Sequence, residues 1–210
     1  MAQQPDITIT YFDLTGKGEP IRLALTIGGI PFKDERLQRE DWLALKPKTP
    51  FGQLPTMTIN GETFAQSHAL LRYAGRLSGL YPEDPIQALK VDMIGDQVED
   101  IIQNLYPAFH EEDPGKQKAL IEEIVKSKLP GPCSALEKFI CKEKSGCSVG
   151  SSLTTADLLI YNLASLFKSD RFSKSPNNAF ESYKNINRVY DTVCGNPKVV
   201  EWNHKHFKNA

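Results

Sequence analysis

Three sets of side chains in the first half of the chain are of types that bind anions or donate hydrogen bonds to them. Tyr11 ends a run of alternating β-branched residues, and a phenol with a pKa of about 10 stays protonated and donates rather than acting as a base. Gln66 and Ser67 lie where a helix should begin, so backbone N–H groups and the Ser hydroxyl can receive a carboxylate. Trp42 and Lys46 are four residues apart, which places an indole N–H and an ammonium on one helix face.

Each of these residues also has a purely structural interpretation. Tyr11 could be an aromatic residue at a strand end, and Trp42 could pack while Lys46 is solvated. Ser67 could simply cap its helix, although the same free donors would serve a ligand as well. The glycine-rich segment Gly16-Lys17-Gly18-Glu19 after Tyr11 favours the functional interpretation of the phenol.

A cluster of acidic residues has the spacing of one helix face in the second half of the chain. Acidic residues on a surface helix usually form only a solvated face. A divalent cation bound there is a minor alternative that a titration with Mg or Ca would test. The cluster consists of Asp92, Asp96, Glu99 and Asp100.

The remaining candidate metal ligands do not form a recognisable motif. No CxxC pair and no spaced set of Cys and His indicates zinc, so we expect reduced thiols and assign no metal. The cysteines are Cys133, Cys141, Cys147 and Cys194, and the histidines are His68, His110, His204 and His206.

Composition excludes several classes of protein. Hydrophobic residues make up 40% and charged residues 24% of the 210, which is typical of a globular chain with a real core. The 25 basic and 26 acidic residues nearly balance, so we expect no nucleic-acid partner and no membrane association. The first residues lack the pattern of a signal peptide, and a cytoplasmic location is the expectation.

The first 80 residues predict a thioredoxin-like α/β domain with the order β-α-β-α-β-β-α. A linker is expected at residues 81–85, because Tyr-Pro-Glu-Asp-Pro breaks both helix and strand. The predicted strands are 7–11, 31–36, 56–59 and 62–64, with a turn at Asn60-Gly61, and the predicted helices are 20–27, 40–46 and 67–77.

Helical periodicity begins at Ile86 and predicts an all-α domain over residues 86–210. Leu89, Met93, Val98, Ile101, Ile102 and Leu105 are expected to form one apolar stripe. Thr154 and Asp157 have the spacing of a capping box and predict a helix at 155–167. A polar loop at 173–178, a helix at 184–194 and a last helix after Pro197 follow.

Taken in order, these motifs resemble the cytosolic glutathione transferases, and among them the sigma-like class that includes glutathione-dependent prostaglandin D synthase and the lens S-crystallins. The match runs nearly end to end, and its pieces are strong only together. They are Tyr11-Phe12, Gly16 to Glu19, Trp42 with Lys46, Pro50-Phe51-Gly52-Gln53-Leu54-Pro55, Gln66-Ser67 and the Thr154 to Asp157 box.

The resemblance implies that Tyr11 donates to the sulfur of glutathione and holds it as a thiolate. A free thiol with a pKa of about 8.5 is only about 3% ionised at pH 7, and lowering that pKa to about 6.5 requires about 2.7 kcal/mol. One hydrogen bond to a charged acceptor is worth about 1.5 to 3 kcal/mol. A single tyrosine can therefore supply most of the shift.

The resemblance also implies the rest of the site. Leu54-Pro55 follows the family's cis-proline pattern, Lys17 stands where many sigma-like members have Arg, and a homodimer would bring Asp100 of the partner subunit to the glutathione amino group. Glutathione would be bound by Tyr11, Lys17, Trp42, Lys46, Gln53, Leu54, Pro55, Gln66 and Ser67, with Asp100 from the partner subunit. A pocket for a hydrophobic electrophile would involve Phe12, Leu14, Ile102 and Tyr106, each of which could instead belong to the core.

Two other functions compete with a general transferase. The chain could be a catalytically idle carrier or structural protein, as the S-crystallins are, although it keeps Tyr11, Trp42, Gln66 and Ser67. It could also be a dedicated prostaglandin or lipid isomerase, which the pocket residues do not decide. Phe51 also has two interpretations: it could belong to the domain core, or its side chain could insert into a partner subunit.

Overall fold

The computed structural model describes residues 4–140, 145–169, 172 and 180–207. The chain divides into two compact units, of which the first comprises Met1–Pro82 with Asn196–Ala210 and the second comprises Glu83–Gly195. The predicted loop at 173–178 and Cys141 lie outside the described residues, whereas Cys133, Cys147 and Cys194 are free thiols.

The first unit contains a four-stranded mixed sheet in the order β2-β1-β3-β4. Strand β1 pairs in parallel with β2 and antiparallel with β3, and β3 pairs antiparallel with β4. The β3–β4 turn at Asn60-Gly61 has positive φ at both residues, 50° and 89°, as a two-residue hairpin requires. The strands are β1 Ile7–Phe12, β2 Lys33–Leu37, β3 Thr56–Ile59 and β4 Glu62–Ala65.

Four helices accompany the sheet, and each of them was expected from the sequence. Helix α1 is almost entirely buried, ends at Gly29 in the left-handed conformation, and packs against α3 and α10. Short 3₁₀ turns at Gly16–Gly18 and Lys46–Lys48 precede α1 and follow α2. The helices of this unit are α1 Glu19–Gly28, α2 Arg39–Leu45, α3 Ser67–Ser78 and α10 Pro197–His206.

The second unit, over its described residues, consists of helices joined by turns and loops and contains no β-strand. Helix α8 begins at the predicted capping box, where the Thr154 N–H donates to Asp157 Oδ2 at 2.6 Å and the Ser148 N–H donates to Asp157 Oδ1 at 2.6 Å. The helices are α4 Pro85–Gln103, α5 Tyr106–His110, α6 Pro114–Ser127, α7 Pro130–Phe139, α8 Thr155–Lys168 and α9 Lys184–Cys194. The thioredoxin-like domain and the helical domain expected from the sequence are thus both confirmed.

Two details differ from the sequence expectations. The buried apolar side chains of α4 are Val91, Ile94, Val98 and Ile101, and Leu105 just beyond its end is also buried, whereas Leu89 and Met93 are 55% and 47% exposed. The last helix, α10, was expected within the helical domain but belongs to the first unit, because its Trp202 packs on Phe32 with ring centroids 5.9 Å apart.

Candidate functional site

One end of the sheet brings three of the proposed site residues into a row. Thr10 pairs with Thr56, and Thr56 pairs with Ala65. Because both pairings are antiparallel, the next residues at this end are Tyr11, Pro55 and Gln66. Neighbouring strands are about 4.8 Å apart, so the row from Tyr11 to Gln66 spans about 10 Å.

The phenol of Tyr11 is held closely by the turn that follows β1. The side chain is 8% exposed, and the backbone N–H of Lys17 donates to its hydroxyl oxygen at 3.1 Å. This bond uses a lone pair of the oxygen and not its O–H. A Cβ atom on Gly16 would lie 2.6 Å from the hydroxyl, and one on Gly18 would lie 2.6 Å from the ring atom Cδ1. Both glycines are therefore needed for the turn to close over the ring in this position.

A buried arginine, which the sequence analysis did not single out, holds the chain just after Tyr11. Arg22 on α1 is fully buried, and its Nη1 donates to the Leu14 carbonyl at 2.8 Å. Its Nη2 donates to the Phe12 carbonyl at 3.3 Å, and its Nε donates to Asp34 Oδ1 at 2.8 Å. The guanidinium thus fastens the segment after Tyr11 to α1 and β2.

Glu19 is the second buried charged residue of α1 and connects Arg22 to the last helix. Its Oε2 accepts from Arg22 at 3.2 Å, and its Oε1 accepts from the indole N–H of Trp202 at 2.6 Å. Burial raises the pKa of the Glu19 carboxyl, and the charge of Arg22 and the Trp202 bond oppose that rise. The sequence signal for this cluster was a pair of opposite charges three residues apart in an otherwise apolar helix.

Helix α2 places two more predicted residues beside this end of the sheet. Trp42 is partly buried and packs edge-on against Phe12 with centroids 6.1 Å apart. Lys46 is exposed at the start of the following 3₁₀ turn, and a Cβ atom on Gly52 would lie 3.7 Å from its Cε. Lys46 therefore lies close to the segment that leads into Leu54 and Pro55.

The residues before β3 and before α3 have unusual backbone conformations. The Leu54–Pro55 peptide bond is cis, as the resemblance implied; Pro55 is buried and Gln53 is exposed. Gln66 has a φ of 77°, a strained value for a residue with a side chain, and such strain clusters at functional sites. Ser67 follows as the first residue of α3, whose first amides have no acceptor within the helix.

The other predicted residues are divided between the two units. Phe12 is partly buried and Leu14 is 49% exposed in the first unit. In the second unit Asp100 is exposed, Ile102 is partly buried, and the Tyr106 hydroxyl donates to Glu99 at 3.5 Å. The shared pocket expected for Phe12, Leu14, Ile102 and Tyr106 stays a prediction.

The acidic cluster lies on α4 as the spacing predicted, with Asp96 and Asp100 exposed and Asp92 and Glu99 partly buried. Among the described residues, no group of three or more Cys, His, Asp or Glu side chains is arranged to hold a metal ion. Within the same residues, no helix has the length and apolarity needed to cross a bilayer.

Two family models match the chain, one over each part of the fold. Residues 7–76 match the glutathione S-transferase N-terminal domain, and residues 99–206 match the glutathione S-transferase C-terminal domain. A thioredoxin-like sheet joined to a helical unit is the architecture that these models describe. The chain therefore belongs to the glutathione S-transferase family, and it is an enzyme of that class.

Individual relatives agree with the family assignment. "Glutathione S-transferase 1" of Ascaris suum is 46% identical over 163 residues, which cover 74% of this chain and 77% of the relative. "Hematopoietic prostaglandin D synthase" of Gallus gallus is 31% identical over 210 residues, covering 98% and 99%. The solved structure of prostaglandin synthase D of Nilaparvata lugens superposes with a TM-score of 0.83 at 29% identity, covering 95% of this chain and 98% of that one.

Proposed function

We propose that this chain is a glutathione transferase that joins the sulfur of glutathione to an electrophilic carbon of a hydrophobic compound. Tyr11 donates its O–H to the sulfur and favours the thiolate. The observation that carries the proposal is the fixed phenol at the end of β1, enclosed by Gly16 and Gly18, with the Lys17 N–H on its oxygen. A hydroxyl that accepts one hydrogen bond is polarised and donates more strongly.

The size of the row at the sheet end supports a tripeptide ligand. Three extended residues span at most about 10 Å, which is close to the distance of about 10 Å between the ends of the row. In this proposal the γ-glutamyl carboxylate binds at Gln66 and Ser67, where the amides of α3 begin. The backbone of Leu54 pairs with the cysteinyl part, as a short added strand would.

The glycyl end of glutathione is assigned to the α2 side of the site. Trp42 supplies an indole N–H and Lys46 supplies an ammonium. Gln53 is exposed and follows Gly52, which lies close to the Lys46 side chain. Lys17 provides positive charge near Tyr11 but lacks the two-pronged geometry of arginine. These assignments follow the residue positions of the family and the arrangement described above.

The chemical step in this proposal requires little from the protein beyond ionisation and orientation. The thiolate attacks the electrophilic carbon and forms a C–S bond, while the leaving group departs with its electron pair or an unsaturated bond takes up the charge. Orientation converts a bimolecular attack into an effectively unimolecular one. We assign the electrophile to Phe12, Leu14, Ile102 and Tyr106, and we add no metal or other cofactor.

A homodimer of the sigma-like type completes the proposal. Asp100 of the partner subunit would then bind the amino group of glutathione. Exposed apolar side chains on the same helix, Leu89 and Met93, and Phe51, which is 63% exposed, are available for such an interface. The cytoplasmic location expected from the sequence stays a prediction.

The decisive test compares Tyr11→Phe with Tyr183→Phe as a matched control, because the Tyr183 hydroxyl bonds the Pro130 carbonyl and has no assigned part in the site. Both changes remove one phenolic oxygen, but only Tyr11 belongs to the sheet end. Tyr11→Phe should keep glutathione affinity within about threefold and lower turnover of a generic aromatic electrophile by about 10- to 1000-fold. Full activity of Tyr11→Phe would refute the donor role.

Two alternatives make different predictions for the wild-type protein. A carrier would be retained on immobilised glutathione and show no turnover of any electrophile. Because the Gallus gallus prostaglandin D synthase is similar over nearly the whole chain, isomerisation of a prostaglandin precursor is a second candidate activity. Product analysis with the lipid and with the aromatic electrophile at equal protein concentration separates the two activities.

A further inference from the structure

Arg22 has more bonding partners than a residue that only fills space in a helix. It is fully buried, and its guanidinium donates to two main-chain carbonyls, those of Phe12 and Leu14, and to two carboxylates, those of Asp34 and Glu19. Phe12 is the residue after Tyr11, so one of the carbonyls adjoins the proposed donor. The planar guanidinium carries five N–H donors in a fixed fork, which suits it to several such acceptors at once.

The effect of Arg22 on Tyr11 is geometric rather than a matter of net charge. The guanidinium carbon lies 5.7 Å from the centre of the Tyr11 ring, within the range of cation–π contact. However, the connected group also contains Arg36 and the carboxylates of Glu19, Asp34 and Asp13, so acids outnumber bases. The acids of this group offset the positive charge of Arg22, and the same bonds fix the segment on which the phenol depends.

The orientation of Arg22 depends in turn on the last helix of the chain. Glu19 is 2% exposed and bonds Arg22 with one oxygen and the indole N–H of Trp202 with the other. Trp202 lies on α10, 183 residues further along the chain. A continuous series of bonds therefore runs from α10 through Glu19 and Arg22 to the main chain beside Tyr11.

We propose that Arg22 is a positioning residue for Tyr11, and that Glu19 and Trp202 hold Arg22 in the orientation this requires. The inference rests on the proposed donor role of Tyr11. If the series of bonds is weakened, the hydroxyl moves away from the sulfur and the thiol of bound glutathione becomes harder to ionise. Glutathione affinity changes little, because the groups assigned to its carboxylates lie on α2, on the 3₁₀ turn after α2, and at the start of α3.

The experiment uses Trp202→Phe, which keeps an aromatic ring and removes the N–H that Glu19 accepts. Its matched control is Phe32→Leu, which alters the packing on the same indole without touching Glu19. The thiol pKa of bound glutathione is measured from thiolate absorbance against pH, together with kcat and KM. For Trp202→Phe we expect the thiol pKa to rise by about 0.5 to 1 unit, which is a roughly three- to tenfold loss of thiolate below that pKa.

The kinetic constants should change in the same selective way. For Trp202→Phe, kcat falls below neutral pH by about the same three- to tenfold factor, recovers at high pH, and leaves KM for glutathione within about twofold. Phe32→Leu keeps the wild-type thiol pKa. Arg22→Lys, which retains the charge but not the fork, shifts the thiol pKa at least as far as Trp202→Phe. If Arg22→Lys does not fold, Trp202→Phe decides the question alone.

Tyr11→Phe, measured in parallel, separates failure of this inference from failure of the proposed function. If Tyr11→Phe leaves the thiol pKa unchanged, the donor role is wrong and the positioning role is wrong with it. If Tyr11→Phe raises the thiol pKa but Trp202→Phe does not, only the positioning role is overturned. The double variant Tyr11→Phe with Trp202→Phe should have the thiol pKa of Tyr11→Phe alone, and an additive shift would also overturn the inference.

Discussion

The buried carboxylate of Asp157 should be one of the largest single contributors to the stability of the helical unit. It is fully buried and accepts from the Ser148 N–H at 2.6 Å, the Thr154 N–H at 2.6 Å and the Thr154 hydroxyl at 3.1 Å. Asp157→Ala leaves two buried amides without their acceptor, and each costs about 1 to 3 kcal/mol. We therefore expect a loss of about 3 to 5 kcal/mol in the free energy of unfolding.

The substitution Asp157→Asn provides a graded comparison. An asparagine keeps one carbonyl oxygen and presents an NH₂ group in place of the other, so one of the two amides still has an acceptor. Its cost should be about half that of Asp157→Ala, or about 1.5 to 2.5 kcal/mol. The control Thr154→Ala removes only the hydroxyl and should cost about 1 kcal/mol.

The assay must report on the unit that contains Asp157. Both tryptophans, Trp42 and Trp202, belong to the first unit, so tryptophan fluorescence follows the wrong part of the chain. Guanidinium unfolding followed by far-ultraviolet circular dichroism reports on the helices, most of whose residues belong to the second unit, and is the measurement of choice. For Asp157→Ala, Tm should fall by roughly 10 °C. An Asp157→Ala protein within about 1 kcal/mol of wild type would refute the reasoning that these buried amides need the carboxylate.

Three further predictions concern the site and its surroundings. Ser67→Ala should weaken glutathione binding by about 5- to 20-fold in calorimetry, and unchanged affinity would remove the carboxylate assignment. Asp100→Asn should weaken glutathione binding only in the dimer, so a fully active monomer isolated by sedimentation would contradict a cross-subunit role. Burial raises the pKa of the Glu19 carboxyl above its ordinary 4.5, so the native state binds the carboxyl proton more tightly than the unfolded state does. The protonated carboxyl therefore stabilises the native state at low pH, and that stabilisation is lost as pH rises through the raised pKa. Above pH 4.5, the free energy of unfolding of Glu19→Gln should therefore fall less steeply with pH than that of the wild type. Equal slopes for the two proteins would contradict this contribution of Glu19.

The parts of the fold that sequence reasoning predicted are those determined by neighbouring residues. Asn60 and Gly61 supply the positive φ values of a hairpin, and Thr154 and Asp157 form their capping box within four positions. The chemistry of such turns and caps is local, so their position can be read directly. The order of strands and helices in the first unit follows from these signals and the apolar periodicity between them.

The parts that sequence reasoning missed depend on residues far apart in the chain. Arg22 was placed in the predicted helix at 20–27 and Glu19 in the segment just before it, but their partners Asp34 and Trp202 lie 12 and 183 residues away. Helix α4 carries apolar residues on more than one side, so Leu89 and Met93 were assigned to the buried stripe although they are exposed. Periodicity shows that an apolar face exists, but it does not show which neighbour covers it.

The candidate site also shows how a local signal can determine a non-local arrangement. The turn at Asn60-Gly61 fixes the pairing of Thr56 with Ala65, and this pairing places Gln66 beside Pro55. The pairing of Thr10 with Thr56 then places Pro55 beside Tyr11. A slip of one residue in the hairpin would move Gln66 out of this row. Because side chains alternate between the two faces of a sheet, the same slip would turn the side chains next to Gln66 to the opposite face. The two-residue turn, which lies at the opposite end of β3, thereby determines which residues stand next to the proposed donor.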